Sequence, residues 1–176
     1  MRQLALCLLS LLLAASVHAD GNAAVDWEAL EAATLAARQK FIEQLPKLKP
    51  IKLFRIDPGA TRSGMPSKLP PFHDWVVVAA AAPSNAPSEA AISQSLARIV
   101  STHDNGVAAC FDPHHGLTLT DGNSSFDLVL CFECWRYIVY TSDGVLLYAD
   151  SFTARGESEK WEQVFTYAGL PVQKRK

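Results

Sequence analysis

The chain has 176 residues, is 49% hydrophobic and carries a formal net charge of −2, which suits one domain built around one core. A chain this near neutral has no basic surface to track a nucleic-acid backbone, and its one positive cluster, Lys174-Arg175-Lys176, reads as a solvated terminus. Four cysteines and five histidines leave room for a disulfide or a small metal site.

The first segment has the form of a secretory leader: Arg2, an apolar run over residues 4–15, then Val17-His18-Ala19 as a small-x-small cleavage site. The run is shorter than the roughly 20 residues a membrane-spanning helix takes. We therefore expect residues 1–19 to be removed near Ala19 and residues 20–176 to form a single domain, exported to the periplasm or secreted, with no membrane span.

From Asp26, a helix N-cap candidate, Leu30, Thr34, Ala37, Phe41 and Leu45 recur at helical spacing until Pro46 and Pro50 end the pattern. Residues 51–56 are short and β-rich and stop at Asp57-Pro58-Gly59; residues 60–71, rich in Gly, Pro and Ser, read as the longest loop. Trp75-Val76-Val77-Val78-Ala79 is a continuous apolar run of the kind found in a central strand. Pro87 suits the first turn of a second helix carrying Ile92, Leu96, Ile99 and Val100 on one face. Strands are then expected at residues 107–111, 117–120, 126–140 and 145–152, joined by Asp121-Gly122-Asn123-Ser124 and Ser142-Asp143-Gly144. A last helix holds Trp161, Val164, Phe165 and Ala168, and Gly169 with Pro171 stops it. Hairpin-linked strands with helices set apart indicate an α+β domain: an antiparallel sheet of five or six strands with three helices, mostly on one face.

The chemistry is concentrated in Cys110, His114, His115, Cys131 and Cys134. If the turn closes at residues 121–124, facing residues put Leu119 opposite Phe126 and Leu117 opposite Leu128. Pro113 cannot donate to a ladder, and the one-residue bulge it calls for brings Cys110 opposite Cys134. A Cys110–Cys134 disulfide follows in an oxidising compartment, leaving Cys131 as an odd thiol. The alternative is a Cys3His zinc site drawing on Cys110, His114 or His115, Cys131 and Cys134, which needs residues 131–134 to turn so that four ligands converge. Reduced structural thiols are the third reading. His73-Asp74 and His103-Asp104 are adjacent pairs, and neighbours in sequence rarely orient each other, so both read as surface or loop residues. No nucleophile elbow, phosphate-cradling glycine loop or His-Glu-x-x-His occurs, and no catalytic residue is assigned.

The wording Ala-Cys-Phe-x-Pro-x-His-Gly, followed by Asp127-Leu128-Val129-Leu130-Cys131-Phe132-Glu133-Cys134 and a closing Ala168-Gly169-Leu170-Pro171, resembles a group of small secreted bacterial proteins of unknown function. The resemblance covers roughly the C-terminal half. It implies the Gram-negative periplasm, and it implies a basic residue at the position of His114, making His115 the better ligand candidate. The expected function is non-enzymatic: an exported module that binds or inhibits another molecule, an envelope protein or a small molecule, or supports an envelope structure, with its cysteine cluster fixing a hairpin. A zinc-binding protein is the alternative.

Overall fold

The computed structural model of the chain describes residues 26–102, 110–141, 143–153 and 156–172. The expected leader, His103-Asp104 and the expected strand residues 107–109 lie outside them. The chain divides into a unit ending at Ala33 and a unit running from Thr34 onward. Of the first, the described part is the opening of helix α1 (Trp27–Gln44), where Asp26 accepts the Ala29 backbone N–H at 3.0 Å and so satisfies one orphan donor.

In the second unit α1 continues to a 3-10 turn, Leu45–Lys47, where Pro46 has no N–H with which to extend the helix. Strand β1 (Lys49–Asp57) follows, then the short helix α2 (Pro58–Ser63), β2 (Val76–Ala81), α3 (Ala86–Ser101), β3 (His115–Thr120), β4 (Ser125–Cys131), β5 (Arg136–Thr141), β6 (Leu146–Ser151) and α4 (Glu157–Tyr167). All six strands join one sheet in the order β2-β1-β3-β4-β5-β6, every pair antiparallel. The expected α+β architecture is the one observed.

The register across β3 and β4 is the one the sequence counts out, Leu119 facing Phe126 and Leu117 facing Leu128. Asp121 holds the turn by accepting the backbone N–H groups of Asn123 and Ser124 at 2.8 and 2.7 Å, and Gly122 takes the positive φ of 91° that the reversal requires. Asn85 caps α3 through the Ser88 N–H at 2.9 Å, with Pro87 in the first turn. At the end of α4, Gly169 adopts φ 76° and the Leu170 N–H returns to the Phe165 carbonyl at 2.9 Å, closing the helix as Gly169 and Pro171 led us to expect.

The sheet has a thick side and a thin side. On the thick side Leu53, Leu117, Leu119, Phe126, Leu128, Leu130, Tyr137, Val139 and Tyr148 meet Phe41 of α1, Ile92, Leu96 and Ile99 of α3, and Trp161 and Phe165 of α4 in one buried cluster. On the thin side Phe54, Ile56, Val77 and Val129 are covered by Phe72, with Trp75 and Phe111 at the rim.

Four elements differ from the sequence reading. Asp57-Pro58-Gly59 starts a helix rather than a turn, because Asp57 accepts the Ala60 N–H at 3.0 Å and Pro58 is already fixed in helical φ, so residues 60–63 are not loop. The apolar run at β2 lies on the sheet edge, not at its centre, and Val78 is accordingly exposed. Cys110 and Phe111 belong to no strand, since pairing begins only at His115. The strand expected over residues 126–140 is broken by a tight turn at residues 132–135, where Trp135 takes φ 53°.

Candidate functional site

Two groups of chemically capable residues lie close together in the chain and on different sides of the sheet. The first is the cysteine cluster at the β4–β5 turn. Because the chain reverses at residues 132–135, Cys131 and Cys134 come within 5.3 Å of each other at Cα and form a disulfide. This corrects the expected Cys110–Cys134 bond: in a regular strand Cys131 and Cys134 point to opposite faces, and the turn cancels that alternation. The juxtaposition behind the expectation is nonetheless present, with the Cys110 sulfur 3.4 Å from that of Cys134. Cys110 is exposed and is the free cysteine of the described residues, while Cys131 and Cys134 are 1% and 4% exposed. Backbone N–H groups point at both bonded sulfurs, Cys134 at Cys131 (3.1 Å) and Asp112 at Cys134 (3.3 Å). Phe111 anchors the approach of Cys110 by meeting the Trp75 ring at 5.9 Å and the Arg136 guanidinium at 6.0 Å. On the outside, the Arg62 guanidinium pairs with Asp112.

The second group grows from His115. His115 and Leu117 project to the thick side of β3, as does Arg55 from the neighbouring strand, two residues on from Leu53. There both meet Glu162 of α4. Arg55 donates through Nη1 and Nη2 to Glu162 Oε1 and Oε2 at 2.8 and 2.9 Å, and His115 Nε2 lies 2.7 Å from Oε1. The neutral tautomer with hydrogen on Nε2 donates to Glu162, and Nδ1 then meets no hydrogen-bond partner among the described residues. Rings of Phe132, Trp161 and Phe165 stand edge-on to the imidazole, and the Arg55 guanidinium lies 4.8 Å above Phe165.

Burial governs the titration of this trio. His115 is 3% exposed, and burial pushes its imidazole down to about 4, the Glu162 bond only partly opposing the shift. Burial alone would raise the Glu162 carboxyl, but the bonds from His115 and Arg55 outweigh it and hold the group down to about 2. At neutral pH the trio is therefore a carboxylate–guanidinium pair with a neutral imidazole. Glu157 repeats the pattern at the start of α4: burial opposes its ionisation, while Arg98, Ser95 and Lys160 hold it down to about 2.

His115 thus stands apart from the cysteines, and the expected ligand set does not come together in this arrangement: Cys131 and Cys134 bond to each other and His115 faces the opposite side. His114 takes a third direction and lines a cavity of about 470 Å3 together with Arg55, Ile56, Asp57, Ala60 and Val78. Burial lowers the His114 imidazole as well, against the pull of Glu133 and Asp112. Among the described residues, no group of three or more His, Cys, Asp or Glu is placed to hold a metal ion.

Three of the engaged residues carry no site assignment in the sequence. Arg55 carried a signal, since it falls on the apolar alternation with Leu53. Glu162 carried none, because only the docking of α4 brings it to β1. His73, taken for a surface residue beside Asp74, pairs instead with Asp127: Nε2 lies 3.1 Å from Oδ2, the other carboxylate oxygen accepts Thr118 Oγ1 at 2.6 Å, and the ring stacks on Tyr140 at 3.8 Å.

Compared with protein-family models, curated proteins and solved structures, the chain matches none.

Proposed function

We propose that this chain is an exported α+β module that binds another molecule, with its cysteine cluster closing the β4–β5 turn and its binding place in the cavity beside β1 and α2. The leader-like residues 1–19 support export, and a disulfide fits an oxidising compartment. Among the described residues, no helix is long and apolar enough to cross a membrane.

The observation that carries the binding reading is the cavity itself. Its volume, about 470 Å3, is that of a small-ligand site. Ile56, Ala60, Met65, Val78, Pro171 and Val172 make it mainly apolar. Its cation, Arg55, is already neutralised by the two bonds it donates to Glu162, its anion, Asp57, is engaged as the cap of α2 through the Ala60 N–H at 3.0 Å, and burial lowers the His114 imidazole. Such walls favour an uncharged, mainly apolar group, with the His114 ring as one polar contact for orientation; the occupant is a small ligand or a side chain presented by an envelope protein.

Amide and methyl NMR spectra titrated with 1-octanol, octanoate and octylamine test this. Octanol is expected to shift Ile56, Ala60, Val78 and Val172 selectively and the two charged probes to do so less, while Val78→Trp, on the exposed edge strand, abolishes the shifts without unfolding the protein. Shifts scattered over the surface, or unchanged in Val78→Trp, would overturn the assignment.

A further inference from the structure

We propose that Cys110, Cys131 and Cys134 form a disulfide-exchange unit in which the bond migrates from Cys131–Cys134 to Cys110–Cys134, carrying a reactive disulfide from the interior to the surface for attack by a thiol on another molecule. The inference stands independently of the cavity, which shares none of these residues.

The geometry orders the steps. Cys110 is exposed and loses its proton to solvent, and its sulfur is already 3.4 Å from Cys134. Attack by the Cys110 thiolate on Cys134 Sγ forms the Cys110–Cys134 bond and breaks Cys131–Cys134. The electron pair goes to Cys131 Sγ, which is met by the Cys134 backbone N–H at 3.1 Å. That contact strengthens as charge develops on the departing sulfur. Cys131, only 1% exposed, then takes up a proton and becomes a buried thiol. No electron is gained or lost overall.

The two oxidised forms differ in what they show to solvent. In the first, both bonded sulfurs are buried and an outside thiol has no approach to either. In the second, one bonded sulfur belongs to exposed Cys110. A thiolate from another molecule attacks Cys110 Sγ, and Cys134 leaves as a thiolate beside the Asp112 N–H that already points at its sulfur at 3.3 Å. The product is a mixed disulfide on Cys110. Access to the attacked sulfur and stability of the leaving thiolate both set exchange rates, and this cluster supplies the first through Cys110 and the second through two backbone donors. Phe111, held by Trp75 and Arg136, fixes Cys110 at the required distance.

The test uses the full chain carrying Cys7→Ser, so that three cysteines report, compared with the same chain carrying Cys110→Ser or Cys131→Ser in addition. Acid quenching, alkylation and peptide mapping should find both linkages in the parent and a Cys110–Cys134 bond in Cys131→Ser after oxidised glutathione. Reduced glutathione and a single-cysteine peptide are then added separately, the first reporting on small-molecule thiols and the second on protein thiols. With at least one of them the adduct should map to Cys110. In Cys110→Ser the Cys131–Cys134 bond should persist and open on the order of tenfold more slowly than in the parent. A disulfide that is structural only would open at the same rate with or without Cys110. Equal rates in the parent and Cys110→Ser, or adducts confined to Cys131 and Cys134, overturn the proposal; Cys110 is exposed, so this variant keeps the test valid even where Cys131→Ser does not fold.

Discussion

The two faces of the sheet solve the same problem with different means. On the thick side three helices bury aromatic and aliphatic side chains together with Arg55, His115 and Glu162. On the thin side a loop segment lays Phe72 over Phe54, with ring centroids 4.1 Å apart and stacked, and Gly116 lets the Phe72 ring come that close. On the thick side Arg55 and His115 are almost out of water, and the Arg55 charge is paired with Glu162, because an unpaired buried charge costs several kcal/mol. On the thin side His73 and Asp127 are covered at least as closely, 10% and 16% exposed against 21% for Glu162, and they too are paired. The difference lies in the elements that supply the cover, helices on one side and a loop segment on the other, and not in the strands, which supply residues to both faces in alternation.

Removing Glu162 should break this comparison most visibly. Arg55 is 4% exposed and Glu162 21%, so Glu162→Ala orphans a guanidinium that has little access to water. We expect a loss of about 3 kcal/mol in urea unfolding at neutral pH, the low end for a broken buried pair. A loss below about 1 kcal/mol would place the trio with the surface ion pairs.

Acid titration of the unmodified chain comes next. His115 is held at about 4 in the folded protein against an ordinary 6.5, so between these values the unfolded chain takes a proton that the folded one does not, and stability must fall as pH drops through this window. Glu162, at about 2 against 4.5, extends the same fall, since its contribution is present above the unfolded value and disappears as pH approaches the folded one. His115→Phe should flatten the limb between about 6.5 and 4 and shrink the lower limb to the share that Arg55 alone supports, since the His115 bond helps to hold the Glu162 carboxyl down. An unchanged upper limb would show that another group controls it.

Phe72→Ala should cost least. Loss of a buried phenylalanine in a helix-backed core costs about 3–5 kcal/mol, but here the cover is a loop that can settle onto Phe54 and Gly116. About 1–2 kcal/mol is expected, with faster hydrogen exchange confined to residues 116–118 and 127–129. A cost equal to that of Phe165→Ala would mean that the two faces are equally rigid.

How much of this was legible follows from the range over which each signal acts. The caps and stops of the helices are encoded within a few residues of each end. The β3–β4 register is encoded too, since a tight turn at Asp121 and Gly122 leaves one pairing that matches apolar with apolar. The β4–β5 reversal was not legible: residues 132–135 contain no glycine or proline, and the left-handed backbone falls on Trp135 at φ 53°, a residue type that rarely adopts it. With that turn hidden, the sequence gathers Cys110 and Cys134 but not the Cys131–Cys134 contact, and it does not separate His115, which lies on the other face.

The sequence by itself determined the class of fold, the first helix, the start of α3, the stop of α4, one hairpin register and the neighbourhood of Cys110 and Cys134, because each depends on local backbone preference or on counting outward from a turn. Tertiary structure alone decided that Glu162 neutralises Arg55 and His115, that His73 answers Asp127, and that Cys131 bonds Cys134. These partners are brought together by the docking of α4, the wrapping of a loop and a strained reversal. Each depends on the free energy of many distant contacts, and no single stretch of the chain records that sum.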